Sequence, residues 1–230
     1  MAEQPADKAS VDMRTVILDA TEQIMLEEGY AGVSSRKVSD RAGLKSKLLH
    51  YYYRTMDDLF TAAFNRLEDR YDERFARAAA SKRPLHDLWA IARDPASARL
   101  ILEFTALASH RPAIRQLIGR SARRDRTIMT AALESIFEKY GVDREQFPPK
   151  VLAILMAGLT RALSTEKVLG AEDGHEEALA FVDRFLARFE TPPTRRTRTK
   201  SMPANGSDNK KPAGSKAPPA EDGGPRSPAS

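Results

Sequence analysis

Apolar residues along the chain recur at intervals of three and four rather than two, as in the run Met13, Val16, Ile17, Ala20 and Ile24, which places them on one face of a helix. No Asn-Gly pair sits between alternating β-branched runs, so strand signals are nearly absent and an all-α fold is expected. Ser10 is a suitable N-cap for the first helix, and Gly29 is its stop. Between Ser34 and Tyr53 the pattern predicts two short helices separated by Gly43. A longer helix is expected from Thr55, where Thr55 and Asp58 have capping-box spacing, to about Ser81. Beyond Pro84 the spacing predicts helices over Leu85–Ala92, Ala96–Ser109, Ala113–Tyr140, Lys150–Leu169 and Glu176–Phe189, set off by Asp94-Pro95, Arg111-Pro112, Gly141, Pro148-Pro149 and Gly170. Eight or nine helices result, with no internal repeat.

These elements divide the chain into a flexible lead over 1–9, a small helical module over 10–55, a larger helical body over 56–190 and a tail over 191–230. The tail holds eight of the 14 prolines and no hydrophobic period, so it is expected to be disordered. Its eight basic and three acidic residues account for the whole net charge of +5, and the preceding residues carry 29 of each sign. It could serve as a basic arm that attracts phosphate or as a plain solubilising extension. The longest apolar run, Val151–Leu159, is far short of the roughly 20 residues of a membrane span. With no cysteine there is no disulfide, thiol nucleophile or cysteine metal site, and no secretion signal is seen at the polar N-terminus. A cytoplasmic protein without a membrane partner is the expectation.

The segment Ser34–Tyr53 carries the strongest chemical signal. Val38 and Ala42 lie four apart on the first short helix, Gly43 can take the positive φ of a sharp turn, and Leu48, Leu49, Tyr52 or Tyr53 supply apolar contacts from the second. Between Ser35 and Arg54 stand Arg36, Lys37, Arg41, Lys45, Lys47 and Arg54, with Asp40 the only acid. A helix-turn-helix puts the start of its second helix into the major groove, where Lys45, Ser46, Lys47, His50 and Tyr51 are placed to meet base edges. Ser34 caps the first helix of the pair, whose N–H groups could face a phosphate, and Arg36, Lys37, Tyr52 and Arg54 complete the candidate DNA-binding set.

At these residues the sequence resembles the TetR (tetracycline-repressor-like) family. The family's pattern of a Thr opening the second helix, an apolar residue, Ala-Gly-Val, a short recognition helix ending in Leu-Tyr-x-x-Phe and a Ser-Lys-Glu-x-Leu start to the fourth helix corresponds here, at the same spacing, to Ser34, Val38, Ala42-Gly43-Leu44, Leu49-His50-Tyr51-Tyr52-Tyr53 and Thr55-Met56-Asp57-Asp58-Leu59. The detailed likeness covers roughly Val11–Phe60. Three positions depart from it: His50 replaces the usual tyrosine, Lys47-Leu48 replace a small pair, and Met56 replaces a phosphate-binding lysine. Operator sequence therefore does not carry over, and Arg54 or Lys47 is the candidate substitute for the lost contact.

The resemblance implies a homodimer on double-stranded operator DNA, with repression as the default outcome. It also implies that the last two helices form the dimer interface, with Ala153, Ala157, Phe181, Phe185 and Phe189 as contacts, the alternative being packing within one chain. A small apolar or amphipathic effector would then occupy the middle helices, with Trp89, Leu100, Phe104, Leu107, Met129, Phe137 and Met156 as candidate lining or as plain core. Binding would spread the dimer through the helix that opens at Thr55. No cofactor or metal is implied. An enzyme is not expected, because the four histidines are scattered and no phosphate loop or His-Glu-x-x-His is present. The rival reading is a helical interaction module whose basic patch binds an acidic protein.

Overall fold

The computed structural model describes residues 5–190, with side chains from Met13 onward; the tail, and the expectation of disorder there, lie outside the described residues. The described residues form α1 (Pro5–Glu28), α2 (Ser35–Arg41), α3 (Ser46–Tyr52), α4 (Met56–Ala79), α5 (Pro84–Ala92), α6 (Pro95–His110), α7 (Pro112–Tyr140), α8 (Pro149–Leu169) and α9 (His175–Glu190), with a 3₁₀ turn at Tyr30–Gly32. Five helices open one residue earlier than the pattern predicts, α9 at His175 and four at Pro84, Pro95, Pro112 and Pro149. Proline ends a preceding helix but opens a new one well, because its missing N–H would be unbonded there anyway. The first helix also reaches back past Ser10 into the expected flexible lead, through residues such as Ala6, Lys8 and Ala9 that favour helix.

Two apolar clusters hold the helices. The first joins Ile17, Ile24 and Met25 of α1, Val38 of α2 and Leu49 of α3 to Phe60 and Phe64 of α4, Phe104 and Leu107 of α6 and Ile114 of α7. The helix-turn-helix is thus joined to α4 and α6 chiefly through α1 and the 3₁₀ turn that follows it. Phe64 and Phe104 meet edge to face at 5.2 Å between ring centroids, at the centre of this contact. The second cluster gathers Phe75 of α4, Leu88 and Trp89 of α5, Met129, Leu133 and Phe137 of α7, Ala153 of α8 and Leu186 of α9.

Polar ties fix α4 against α1. Arg66 donates from Nε to Glu22 at 2.9 Å and from Nη1 to Asp19 at 2.7 Å, and Arg70 reaches the same Glu22 at 2.9 Å. The start of α4 is held by a full capping box: the Asp58 N–H donates to Thr55 Oγ1 at 3.1 Å, and the Thr55 N–H donates to Asp58 Oδ2 at 2.9 Å. Thr55→Ala removes one leg and is expected to cost about 1 kcal/mol, read as a fall in Tm of about 2–4 °C by thermal melting.

Candidate nucleic-acid interface and internal cavity

The hinge between α2 and α3 follows from local chemistry. Ser34 caps α2 by accepting from the Lys37 N–H at 3.3 Å. At the other end the Leu44 N–H donates to the Ser39 carbonyl at 2.8 Å and the Gly43 N–H to the Asp40 carbonyl at 3.2 Å. This bond pair needs a left-handed residue at its bend, which Gly43 supplies with φ of 67°. Val38 and Leu49 bury the inner sides of the two helices. At the end of α3, Tyr53 is buried as expected of an anchor, and Arg14 of α1 lies 5.6 Å from the ring centroids of both Tyr52 and Tyr53.

The packing turns the candidate DNA-binding residues outward. Ser34, Arg36, Lys37, Lys45, Ser46, Lys47, His50, Tyr51 and Arg54 are exposed, Tyr51 at 78%, and Tyr52 is half-buried against Tyr51. Ion pairing then divides the cations into two groups. On α2, Lys37 pairs with Glu28, Arg41 with Glu27 at 2.7 Å, and Arg36 with Asp40 at 3.8 Å. Lys37 also pulls the Glu28 carboxyl below its ordinary range by hydrogen bonding. Among the described residues Lys45, Lys47 and Arg54 have no ion pair, so the free positive charge lies on α3 and just beyond it.

A cavity of about 280 Å³ opens between α4, α6, α7 and α8. Of the residues read as candidate effector lining, Met129 and Met156 border it, and Trp89, Leu100, Phe104, Leu107 and Phe137 do not. Those five fill the two cores, where large apolar groups at helical spacing pack against one another. The cavity forms where small side chains leave space, at Ala98 of α6, Ala122 of α7 and Ala153 and Ala157 of α8. Ala153 and Ala157 therefore face the cavity. Of the other residues read as dimer contacts, Phe181 is 62% exposed, while Phe185 and Phe189 are half-buried in an aromatic cluster with Phe147. The exposed apolar face of α8 is formed instead by Val151, Ile154 and Leu155, the last 59% exposed.

The polar wall of the cavity was missed by a reading that looked for large apolar residues. Glu68 and Tyr71 of α4 and Ser121 and Asp125 of α7 stand in it. A signal was present: Glu68 follows Phe64 by four and Asp125 precedes Met129 by four, so each acid interrupts an inward-facing stripe. Burial pushes both carboxyls above their ordinary range, and it pushes the Tyr71 hydroxyl up to about 12 beside them. A raised carboxyl binds its proton more tightly in the folded than in the unfolded state. It therefore costs stability once ionised, and the cost is absent below the ordinary carboxylate range. Glu68→Gln is expected to raise Tm by about 1–3 °C at pH 7.5, with the gain shrinking towards pH 4 in parallel melts.

A capped helical hairpin with an outward cationic edge, seated on a helical body with its own cavity, defines a helix-turn-helix regulator. Comparison places it in a family. The profile for bacterial regulatory proteins of the tetR family matches residues 17–63, and that for the C-terminal part of BetI-type transcriptional repressors matches residues 85–190. The chain belongs to the TetR family of transcriptional regulators. The HTH-type transcriptional regulator PksA of Bacillus subtilis (strain 168) is 33% identical over 61 residues, a match that covers 26% of this chain and 30% of that protein. Among solved structures, a TetR transcription regulator from Haloarcula marismortui ATCC 43049 aligns with a TM-score of 0.65 at 19% identity over 77% of this chain and 97% of that one. A TetR-family regulator from Rhodococcus sp. aligns with a TM-score of 0.62 at 21% identity over 76% and 99% of the two chains. At such identities these structures bear on the fold alone.

Proposed function

We propose that the protein is a homodimeric repressor that occupies a two-fold operator through paired α3 helices and leaves it when a small effector fills the cavity. The observation that carries this reading is the unpaired cationic edge of α3, Lys45 and Lys47 beside Ser46, His50 and Tyr51, anchored in the first core by Leu49 and Tyr53. A protein partner for the same patch would leave no reason for the groove-reading set of hydroxyl, lysine and histidine at the helix start.

The second copy is suggested by large apolar side chains left exposed on the last two helices, Val151, Ile154 and Leu155 on α8 and Phe181 on α9. Release has a mechanical basis in two helices that serve both regions. Helix α4 lends Phe60 and Phe64 to the first core and Phe64, Leu67 and Glu68 to the cavity. Helix α6 lends Phe104 and Leu107 to the core and Ile101, Leu102 and Thr105 to the cavity. Glu103 of α6 also accepts from the Tyr30 N–H at 2.8 Å, at the turn that leads into α2. The sequence pointed to coupling through α4 alone; α6 adds a shorter path.

Selection of bound duplexes from a random pool tests this. The expected product is a two-fold symmetric site with half-sites spaced by whole helical turns, bound in a salt-sensitive manner. No enrichment, together with capture of an acidic protein by the α3 face, would replace the reading. Within the selected complex, Arg54→Ala is expected to flatten the salt dependence by about one phosphate contact per protomer, and an unchanged slope would remove Arg54 from the interface.

A further inference from the structure

Among the described residues of the helix-turn-helix module, from Met13 to Arg54, two large apolar side chains stand exposed, and both lie on α3: Leu48, at 36%, and Tyr51. The sequence pattern offers Leu48 as an inner contact, but it is Leu49 that is buried, and Leu48 belongs to neither apolar core. At about 100° per residue, Leu48 and Tyr51 are neighbours on the outer surface of the helix. Tyr52 follows on their flank, and its ring meets that of Tyr51 edge to face at 5.2 Å between centroids. Ser46 and His50, four apart, take the opposite flank, and Lys47 stands between the two. The outer surface of this seven-residue helix is thus split into a polar side and an apolar side.

The apolar side limits what it can meet in a major groove. Guanine presents N7 and O6 there, adenine N7 and an amino group, cytosine an amino group and thymine O4, and thymine alone adds an apolar substituent, its C5-methyl group. Leucine has neither donor nor acceptor. Set against any of the polar positions, Leu48 would strip water from a hydrogen-bonding group and return no bond. Set against the methyl group, two apolar surfaces leave water together. Phosphates are no better a partner for Leu48, because they are held by cations and donors, and Lys45, Lys47 and Arg54 already supply unpaired charge beside it.

We propose that Leu48 reads a thymine in each half-site by packing on its C5-methyl group, beside the ring of Tyr51. The inference rests on the reading of α3 as the groove-bound helix, and it adds a specificity-determining residue outside the set of hydroxyl, lysine and histidine.

Deoxyuridine tests this directly, since it keeps the pairing edge and O4 of thymine and lacks only the methyl group. The duplex selected from the random pool is remade with deoxyuridine at one thymine position at a time, in both half-sites together. Anisotropy titrations of the full chain are expected to find a position where the exchange weakens binding by about three-fold per half-site, or about ten-fold for the pair. Leu48→Ala should bind the thymine and deoxyuridine duplexes equally at that position, with the ratios at other positions unchanged. Its Tm should match that of the wild type, because Leu48 lies outside both cores. Selected half-sites without thymine, a wild-type ratio of one at every thymine, or a ratio that survives in Leu48→Ala overturns the role of Leu48 and leaves the DNA reading standing. Failure to enrich any duplex overturns both.

Discussion

Leu155→Glu is expected to convert the protein into a monomer and to lower its affinity for selected operator DNA by at least about 100-fold. Leu155 stands 59% exposed on α8, where Val151 and Ile154 are exposed too, and Phe181 of α9 is 62% exposed. A second copy that packs on this face would close water away from all four, and a carboxylate in its middle would then be buried without a partner. The loss of DNA affinity follows from geometry. Two α3 helices on one rigid dimer place the second half-site at a high effective concentration once the first is bound, and a monomer forfeits that gain even though every base contact is intact. Analytical ultracentrifugation and gel shift read the two effects separately. A wild-type protein that is monomeric at micromolar concentration, or a variant that stays dimeric with unchanged DNA affinity, would show that another surface pairs the copies.

The elements of this fold were legible because their ends are written locally. Ser34 and Thr55 cap helices from within four residues, Gly43 turns the chain where a positive φ is required, and each proline boundary marks a helix start to within one residue. The outward face of α3 was legible for the same reason, since one short helix carries it and Ser46, Lys47, Leu48, His50 and Tyr51 are exposed on either side of the buried Leu49. Charge was less well read. Counting cations between Ser35 and Arg54 gives equal weight to Lys37 and Lys47, yet Lys37 is neutralised by Glu28 of α1 and Lys47 is not.

The cavity was the least legible part, and the reason is geometric. A space between four helices depends on which faces meet and on where small residues oppose one another, and no periodicity within a single helix records that. Large side chains such as Trp89 and Phe104 drew the expectation, but large side chains fill space. The cavity is bounded by Ala98, Ala122, Ala153 and Ala157, with two acids that look like ordinary surface residues until α4 and α7 are brought side by side.

The division of cations leads to the second large effect. The double variant Lys45→Ala/Lys47→Ala removes four positive side chains from the proposed dimer, and each lost phosphate contact flattens the dependence of log affinity on log salt by about 0.9. If all four meet phosphate, the slope falls by about 3.6 and affinity at 0.1 M salt drops by about three orders of magnitude. Should either lysine meet a guanine edge instead, the loss will be concentrated on the selected sequence, by about 1–3 kcal/mol per contact, with a smaller change in slope. Lys37→Ala is the internal comparison. Its ammonium already rests on Glu28, so its removal should flatten the slope by less than half as much per side chain as removal of Lys45 or Lys47. Salt titrations of the three proteins against one selected duplex decide the matter, and equal slopes for Lys37→Ala and the α3 variant would mean that the α1 pairing dissolves on binding and that α2 holds the backbone as firmly as α3.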